Sequence, residues 1–281
     1  MAIYYHYCSV DTFVKIISSK IFRLGSMFKM NDSTECQDFW SIVEQLYEKN
    51  HITKEQVDFI NSIANAEKSS IPRYLGCFST NSDLLSQWSM YGDDGKGVAV
   101  GIDLEKLISR IKEKYKIILL DYNNVIYNVE EKIKLIDDLL NKQDRYEELE
   151  QLRQSIQEND EGYLDFVSEY LEFDLNLLNT LFNYEILFKN ESFQSESEVR
   201  IVYTHNLDRP IPNRLEQGFY VNGKSDIVSY CELPLDFDGC ISKLIIGPKC
   251  PLTKESKDFR DFLKFNSLEN IEVIKSKIPY I

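Results

Sequence analysis

The chain has 281 residues, of which 43% are hydrophobic and 12% aromatic, and its formal net charge at pH 7 is −14. This length allows one large domain or two small ones, with enough apolar residues for a substantial core. The negative charge argues against a broad basic surface that binds nucleic acid, although a nucleic acid could still be bound at a small local site. Much of the acidity lies between about residues 128 and 175.

Targeting and metal-binding patterns are missing from the sequence. The first residues lead directly into a strand-like pattern without a basic signal-peptide region, and no apolar run approaches the ~20 residues that span a bilayer. The six cysteines are scattered without a C-x-x-C pair, and the chain has only three histidines. We therefore expect a reduced cytoplasmic protein with neither a metal site nor a disulfide framework, and no membrane partner.

The first third of the chain predicts alternating strands and helices. A short aromatic strand over Ile3–Tyr7 precedes a helix that Ser9 caps, and Ile21–Leu24 forms a second strand. Asp32 and Glu35 then have the spacing of a capping box at the start of another helix. That box is also the ordinary structural explanation for the segment, although Asn31 just before it remains open to a phosphate-binding role.

The rest of the chain predicts further strands around a long helical block. Charges interleaved with Leu, Ile and Phe indicate two or three helices over about 128–188. The predicted strands are 74–79, 98–102, 117–120, 227–233, 241–246 and 271–274, with a short helix around 84–91 and another over about 254–265. The pattern favours a single α+β domain over residues 1–281, with an acidic helical insertion at about 128–188. Such a charged insertion could cover a site, dock a partner or inhibitor, or only solubilise the domain.

The segment from Gln194 to Tyr203 carries the strongest chemical pattern. Residues two apart on a strand point to the same face, so Glu196 and Glu198 are expected to point together at the start of a buried strand. Two carboxylates at the edge of a core invite a functional explanation, because buried charges are costly without partners. The alternative is a structural ion pair with Arg200 as the counter-charge.

Aromatic and hydroxyl residues supply the other candidates. His6 lies in the first strand, where a packed core role is common, although its ring nitrogens could also orient a sugar hydroxyl. Ser79 ends a buried strand, where hydroxyls often make local turn bonds. Trp88 and Tyr91 share a helical face, which usually means core but could also wall a planar ring.

Taken together, these blocks resemble a bacterial domain-of-unknown-function family whose members carry YHYT, FNDP, CFS…W…Y and E-x-E-x-R blocks. In this chain the blocks are Tyr5-His6-Tyr7, Asn31-Asp32, Cys77-Phe78-Ser79 with Trp88 and Tyr91, and Glu196 to Arg200. The resemblance runs from residue 4 to about residue 280, with 104–185 variable. Cys8 replaces the usual threonine, and Met30-Asn31-Asp32-Ser33 replaces FNDP.

That family is distantly similar to ADP-ribosyltransferases of the DNA-modifying toxin and RNA 2′-phosphotransferase types. The resemblance implies a mixed, split β-sheet with flanking helices and NAD as the substrate. It implies that Glu198 bonds the nicotinamide-ribose 2′-hydroxyl and that Glu196 activates the acceptor, while His6 holds the adenosine ribose and Ser79 orders the site. Tyr91, or Trp88 instead, would stack on nicotinamide. The implied cofactor-binding residues are His6, Tyr7, Ser9, Asn31, Ser79, Trp88, Tyr91 and Arg200.

Three hypotheses follow from the residues and the resemblance. The first is an NAD-dependent ADP-ribosyltransferase that modifies a protein or nucleic acid, as bacterial toxins and anti-phage defence effectors do. The second is a non-catalytic module on the same scaffold that binds a nucleotide or a partner. The third is another enzyme, such as an NAD glycohydrolase. A phosphotransferase is less favoured, because the early blocks offer only Arg23 and Arg73 to grip a phosphate.

Overall fold

The computed structural model describes residues 2–27, 37–61 apart from 55 and 59, 72–140 apart from 118, 180–205, 213–235 and 239–280. The fold is α+β, as the sequence predicts, and is built on a large mixed sheet. The strands are β1 (Tyr4–Cys8), β2 (Ile21–Ser26), β3 (Arg73–Ser79), β4 (Val98–Ile102), β5 (Leu120–Asn124), β6 (Glu198–Thr204), β7 (Glu216–Val221), β8 (Ile227–Pro234), β9 (Ile241–Ile246) and β10 (Glu272–Lys275). The main helices are α1 (Val10–Ser19), α2 (Gln37–Glu48), α3 (Leu85–Met90), α4 (Leu104–Tyr115), α5 (Val129–Leu140) and α6 (Lys257–Phe265).

The sheet divides at strand β3. Its main path runs β10-β9-β4-β1-β3-β2-β8-β7, and β6 pairs with both β3 and β5. Strand β6 lies along the whole of one edge of β3. The other edge is shared, because β1 pairs with it at Ser79 and β2 pairs with it at Tyr74 and Leu75. Ser79 therefore lies at the end of β3 that joins β1 and β6.

The described residues form two compact units. The first contains all ten strands and combines residues 1–31, 71–125 and 192–281. The second combines residues 32–70 and 126–191, and its apolar core joins α2, α5 and the helical residues 180–187. Residues 141–179 of the predicted acidic insertion lie outside the described part of the chain. The expectation of one domain with an insertion at about 128–188 stays a prediction.

Local sequence explains how the elements around β1 begin and end. Ser9 caps α1 as predicted, since its hydroxyl accepts the amide N–H of Thr12 at 3.1 Å. The apolar face of α1 buries Phe13, Ile16 and Ile17 against the sheet. Strand β6 is buried on both faces through Tyr203, which matches its run of β-branched and aromatic residues. The predicted capping box at Asp32 and Glu35, together with Asn31, lies outside the described residues.

Candidate functional site

Three neighbouring strands place Tyr5, Ser79 and Glu198 side by side. Tyr5 of β1 lies opposite Ser79 of β3, and Ser79 lies opposite Glu198 of β6. Residues directly opposite each other in antiparallel strands share one face of the sheet, so the three side chains project from the same face. All three residues are buried, and Ser79 is only 1% exposed. This row is the centre of the candidate site.

Glu198 forms a two-point ion pair with Arg200 on the same strand. The Arg200 Nε donates to Glu198 Oε1 at 2.8 Å, and its Nη2 donates to Oε2 at 3.2 Å. The Arg200 side chain is 1% exposed and the Glu198 side chain is 7% exposed. The ion pair that the sequence suggested as the structural alternative is therefore present. It fixes the plane of the carboxylate, because the guanidinium fork matches its two oxygens.

Glu196 does not lie on the strand, and the expectation that it points with Glu198 from one strand face is wrong. It ends a 3₁₀ helix over Glu191–Glu196, and β6 begins only at Glu198. Between them Ser197 has a φ of 48°, so its left-handed backbone breaks the two-residue alternation. Glu196 is nevertheless buried, and its main-chain carbonyl lies beside the row, where it accepts the Ser79 hydroxyl.

Ser79 ties the chain segment before β6 to the end of β3. Its hydroxyl donates to the carbonyl of Glu196 at 2.7 Å and accepts the amide N–H of Asn81 at 3.2 Å. The amide N–H of Thr80 also donates to the carbonyl of Ser197, at 2.9 Å. These bonds set the position of the turn that leads into Glu198. Ser79 therefore ties this turn to the end of β3, and the site-ordering role that the resemblance implies for it stays a prediction.

The register does not bring His6 to this face. On the neighbouring strand β4 it is paired with Val100. Tyr5 lies in the row, and successive side chains of a strand alternate between its two faces, so His6 projects from the other face of the sheet. There its ring contacts Phe22 at 4.7 Å between centroids, and its Nδ1–H donates to the Cys77 carbonyl at 3.1 Å. Burial lowers the pKa of His6, which keeps the imidazole neutral. Its proposed contact with the adenosine ribose stays a prediction.

Tyr7 and Trp88 act together in holding the segment that follows β3. The Tyr7 hydroxyl donates to the Asn81 carbonyl at 2.9 Å and accepts the Leu84 amide at 3.1 Å. Trp88 is fully buried, packs edge-on against Tyr7 at 4.7 Å between centroids, and donates its indole N–H to Asp83 at 2.7 Å. Tyr91 is 39% exposed, so it is the member of the predicted aromatic pair with a surface open to a ligand. Ser9 serves as a helix cap, and ligand binding by these residues stays a prediction.

Asp83 is the residue of this region that the sequence reasoning missed. Its carboxylate accepts bonds from Trp88, from the Ser276 hydroxyl and from the amide of Lys277. Two of these donors come from the other end of the chain, 193 and 194 residues away. Local pattern could not reveal such a contact. Tyr5 was also missed, because its importance depends on its register with Ser79.

The described residues show neither a metal-binding cluster nor a membrane-spanning helix. No group of three or more His, Cys, Asp or Glu side chains among them is arranged to hold a metal ion. Within the same residues, no helix is both long enough and apolar enough to cross a membrane.

Residues 87–201 match the model of the family described as "Protein of unknown function (DUF2971)". The DUF2971 match covers less than half of the chain, from within α3 into β6, and it includes Glu198 and Arg200 but neither β1 nor β3. It supports the expected relationship to a domain-of-unknown-function family. No match was found among curated proteins, and none among solved structures.

Proposed function

We propose that the protein is an NAD-dependent ADP-ribosyltransferase that acts on a macromolecular target, with Glu198 as its catalytic carboxylate. The observation that carries the proposal is the row formed by Tyr5, Ser79 and Glu198 on adjoining strands. It supports the roles that the resemblance gives to Ser79, which orders the site, and to Glu198, which acts on the nicotinamide ribose. The DUF2971 match, which contains Glu198, adds a family context without a function.

The chemistry suits a single oriented carboxylate. Breaking the nicotinamide–ribose bond builds positive charge on the ribose, as in glycoside hydrolysis. A fixed carboxylate stabilises that charge more in the transition state than in the ground state. The two bonds from Arg200 hold the plane of the Glu198 carboxylate, so its orientation is set within the fold.

Glu196 remains the proposed residue that activates the acceptor. Its position at the end of the 3₁₀ helix separates it from the regular strand by Ser197. A residue on such a turn can take the proton of an incoming nucleophile without being fixed to the face that holds Glu198. The bond from Ser79 to the carbonyl of Glu196 would keep this turn close to the end of β3.

The buried ion pair is the observation that favours the non-catalytic alternative. Arg200 holds both oxygens of the Glu198 carboxylate, and both groups are almost fully buried. A purely structural ion pair has the same geometry. In that case the protein binds a nucleotide or a partner without turnover. An NAD glycohydrolase would use the same row, with water as the acceptor.

The test uses the purified protein and NAD labelled in its adenylate part, with and without cell lysate. We expect the wild type to label a macromolecule and Glu198→Gln to lose this activity. Glu216→Gln serves as the matched control, because Glu216 is an exposed strand residue on β7. Release of nicotinamide without labelling would identify a glycohydrolase. NAD that binds and stays intact would identify the binding module, and NAD that neither binds nor reacts would overturn the proposal.

A further inference from the structure

The segment Ser276–Tyr280 follows β10 and contacts Asp83, just before helix α3, and Asp94, in the turn after it. At its start, Ser276 donates its amide N–H to the Ile246 carbonyl at 2.8 Å, which ties the segment to the sheet. Along its length, Ile278 and Tyr280 pack against the buried cluster that contains Tyr7 and Trp88. The segment thus joins the sheet to the inner side of α3.

The first attachment is the carboxylate of Asp83, two residues before α3. Its Oδ1 accepts the Ser276 hydroxyl at 2.6 Å and the Trp88 indole N–H at 2.7 Å. Its Oδ2 accepts the Lys277 amide at 3.1 Å. One half-buried carboxylate therefore links the segment to the buried tryptophan of α3. Bonds to a charged acceptor are stronger than neutral ones, so this junction is a firm one.

The second attachment is Asp94, in the turn after α3. The hydroxyl of Tyr280 donates to its carboxylate, and the Lys249 ammonium lies 2.9 Å from the same group. The Lys249 ammonium also lies 3.8 Å from the centre of the Tyr280 ring. Asp93 and Asp94 both have φ values of 52°, a left-handed conformation that aspartate adopts more readily than most non-glycine residues.

We propose that Ser276–Tyr280 is a strap that fixes the position of helix α3, with Asp83 and Asp94 as its two anchor residues. Through α3 it positions Tyr91, the exposed aromatic at the end of that helix, for the nicotinamide ring. This second step rests on the function proposed above. Asp83, Asp94, Ser276 and Tyr280 are positioning residues, because they act through α3 and Trp88.

The two outward-facing apolar residues of α3 agree with this arrangement. Leu85 is 50% exposed and Met90 is 60% exposed, so α3 is held chiefly from its inner side. A helix of six residues has little stability of its own. Its position must therefore come from tertiary contacts, and the strap adds one at Asp83 before the helix and one at Asp94 after it.

The experiment compares the wild type with a strap variant and a control in the full chain. The strap variant is Ser276→Ala with Tyr280→Phe, which removes two hydroxyl donors and keeps the tyrosine ring over Lys249. The control is Lys277→Ala, because Lys277 contacts Asp83 through its main-chain N–H and its side chain is exposed. Hydrogen exchange of the α3 amides is measured together with kcat and KM for NAD.

We expect exchange in α3 to accelerate about tenfold or more in the strap variant, with β3 and β6 unchanged. The KM for NAD should rise about tenfold while kcat changes less, and the control should behave as the wild type does. Asp83→Asn keeps one carbonyl oxygen as an acceptor and should cause a smaller change than Asp83→Ala.

Unchanged exchange in the strap variant would overturn the strap itself. Faster exchange with an unchanged KM would overturn the positioning role. If the wild type neither binds nor consumes NAD, the proposed function fails and the positioning role for nicotinamide fails with it. The exchange measurement still decides in that case whether the strap holds α3.

Discussion

Glu198 and Arg200 lie two residues apart on strand β6 and close a two-point ion pair whose members are 7% and 1% exposed. Together with the alignment of Glu198 opposite Ser79, this pair fixes a carboxylate at the junction of three strands. The ion pair that orients the Glu198 carboxylate also contributes to the stability of the fold. Stability and activity therefore have to be separated when Glu198 is changed.

The first prediction concerns this dependence. Glu198→Gln removes the negative charge that contacts the buried Arg200 guanidinium at two points, so the free energy of unfolding should fall by about 3 kcal/mol. Urea denaturation measures the loss. The double variant Glu198→Leu with Arg200→Met replaces the pair by apolar side chains and should recover most of it. A double variant as unstable as the single one would show that the pair is not the cause.

A second prediction concerns the loop between α3 and β4. A Cβ atom at Gly97 would lie 2.1 Å from the main-chain carbonyl oxygen of Cys8, and a backbone atom cannot swing aside as a side chain does. Gly97→Ala should therefore destabilise the fold by about 3 kcal/mol or more, or abolish soluble expression. Gly25→Ala is the matched control, because nothing lies within 4 Å of its added Cβ. Equal melting temperatures for the two variants would contradict the packing described here.

A third prediction concerns Ser79. Ser79→Ala removes the hydroxyl that donates to the Glu196 carbonyl at 2.7 Å and leaves that buried acceptor without this partner. We expect a loss of about 1–3 kcal/mol in the free energy of unfolding. NAD turnover should also fall, because the turn before Glu198 loses its side-chain bond to β3 and keeps only the main-chain bond from Thr80 to Ser197. Ser89→Ala on the exposed side of α3 is the control and should leave both quantities unchanged.

The fourth prediction is a dependence of stability on pH. Burial lowers the pKa of both His6 and His205, so each stays neutral in the folded protein at a pH where the unfolded chain takes up a proton. The stabilisation is therefore fully present above about pH 7 and is lost as the pH falls through about 6.5. The slope should reach at most about 1.4 kcal/mol per pH unit for each histidine. Urea titrations between pH 5.5 and 8 measure it, and His6→Gln with His205→Gln should flatten the curve. An unchanged slope in that double variant would assign the effect to other groups.

The fifth prediction concerns the helical unit. Lys132 of α5 is fully buried, where its ammonium contacts the carboxylate of Asp38 and donates to the Lys189 carbonyl at 2.8 Å. Lys132→Met would leave both acceptors without this donor and should lower the free energy of unfolding by about 3 kcal/mol. Lys134→Met on the exposed side of the same helix should have little effect. Thermal unfolding followed by circular dichroism compares them, and equal melting temperatures would refute the role of Lys132.

Local pattern was enough to predict the α+β class, most strands and the Ser9 cap. Strands such as β3 and β6 carry continuous apolar runs because they are buried on both faces. Strand β7 was missed, because five of its six residues are exposed and a glycine interrupts the pattern. The predicted start of β6 was two residues too early, because Ser197 adopts a left-handed conformation that serine does not usually adopt.

The site could be predicted only in part, for a similar reason. Sequence spacing suggested both Glu198 and its pairing with Arg200, because both lie on one strand. The alignment of Tyr5, Ser79 and Glu198 depends on the register between strands far apart in the chain, which spacing does not encode. The same limit hid Asp83, whose partners Ser276 and Lys277 lie at the other end of the sequence.

The most direct test of the central claim is the rate of nicotinamide release from NAD by the purified protein with cell lysate as the source of acceptor, measured for the wild type, Glu198→Gln and Glu216→Gln under conditions where all three are folded. We predict that the wild type and Glu216→Gln release nicotinamide at equal rates and that Glu198→Gln is slower by about 10²–10³-fold. Equal rates for all three proteins, or no release by the wild type, would contradict the assignment of Glu198 as the catalytic carboxylate.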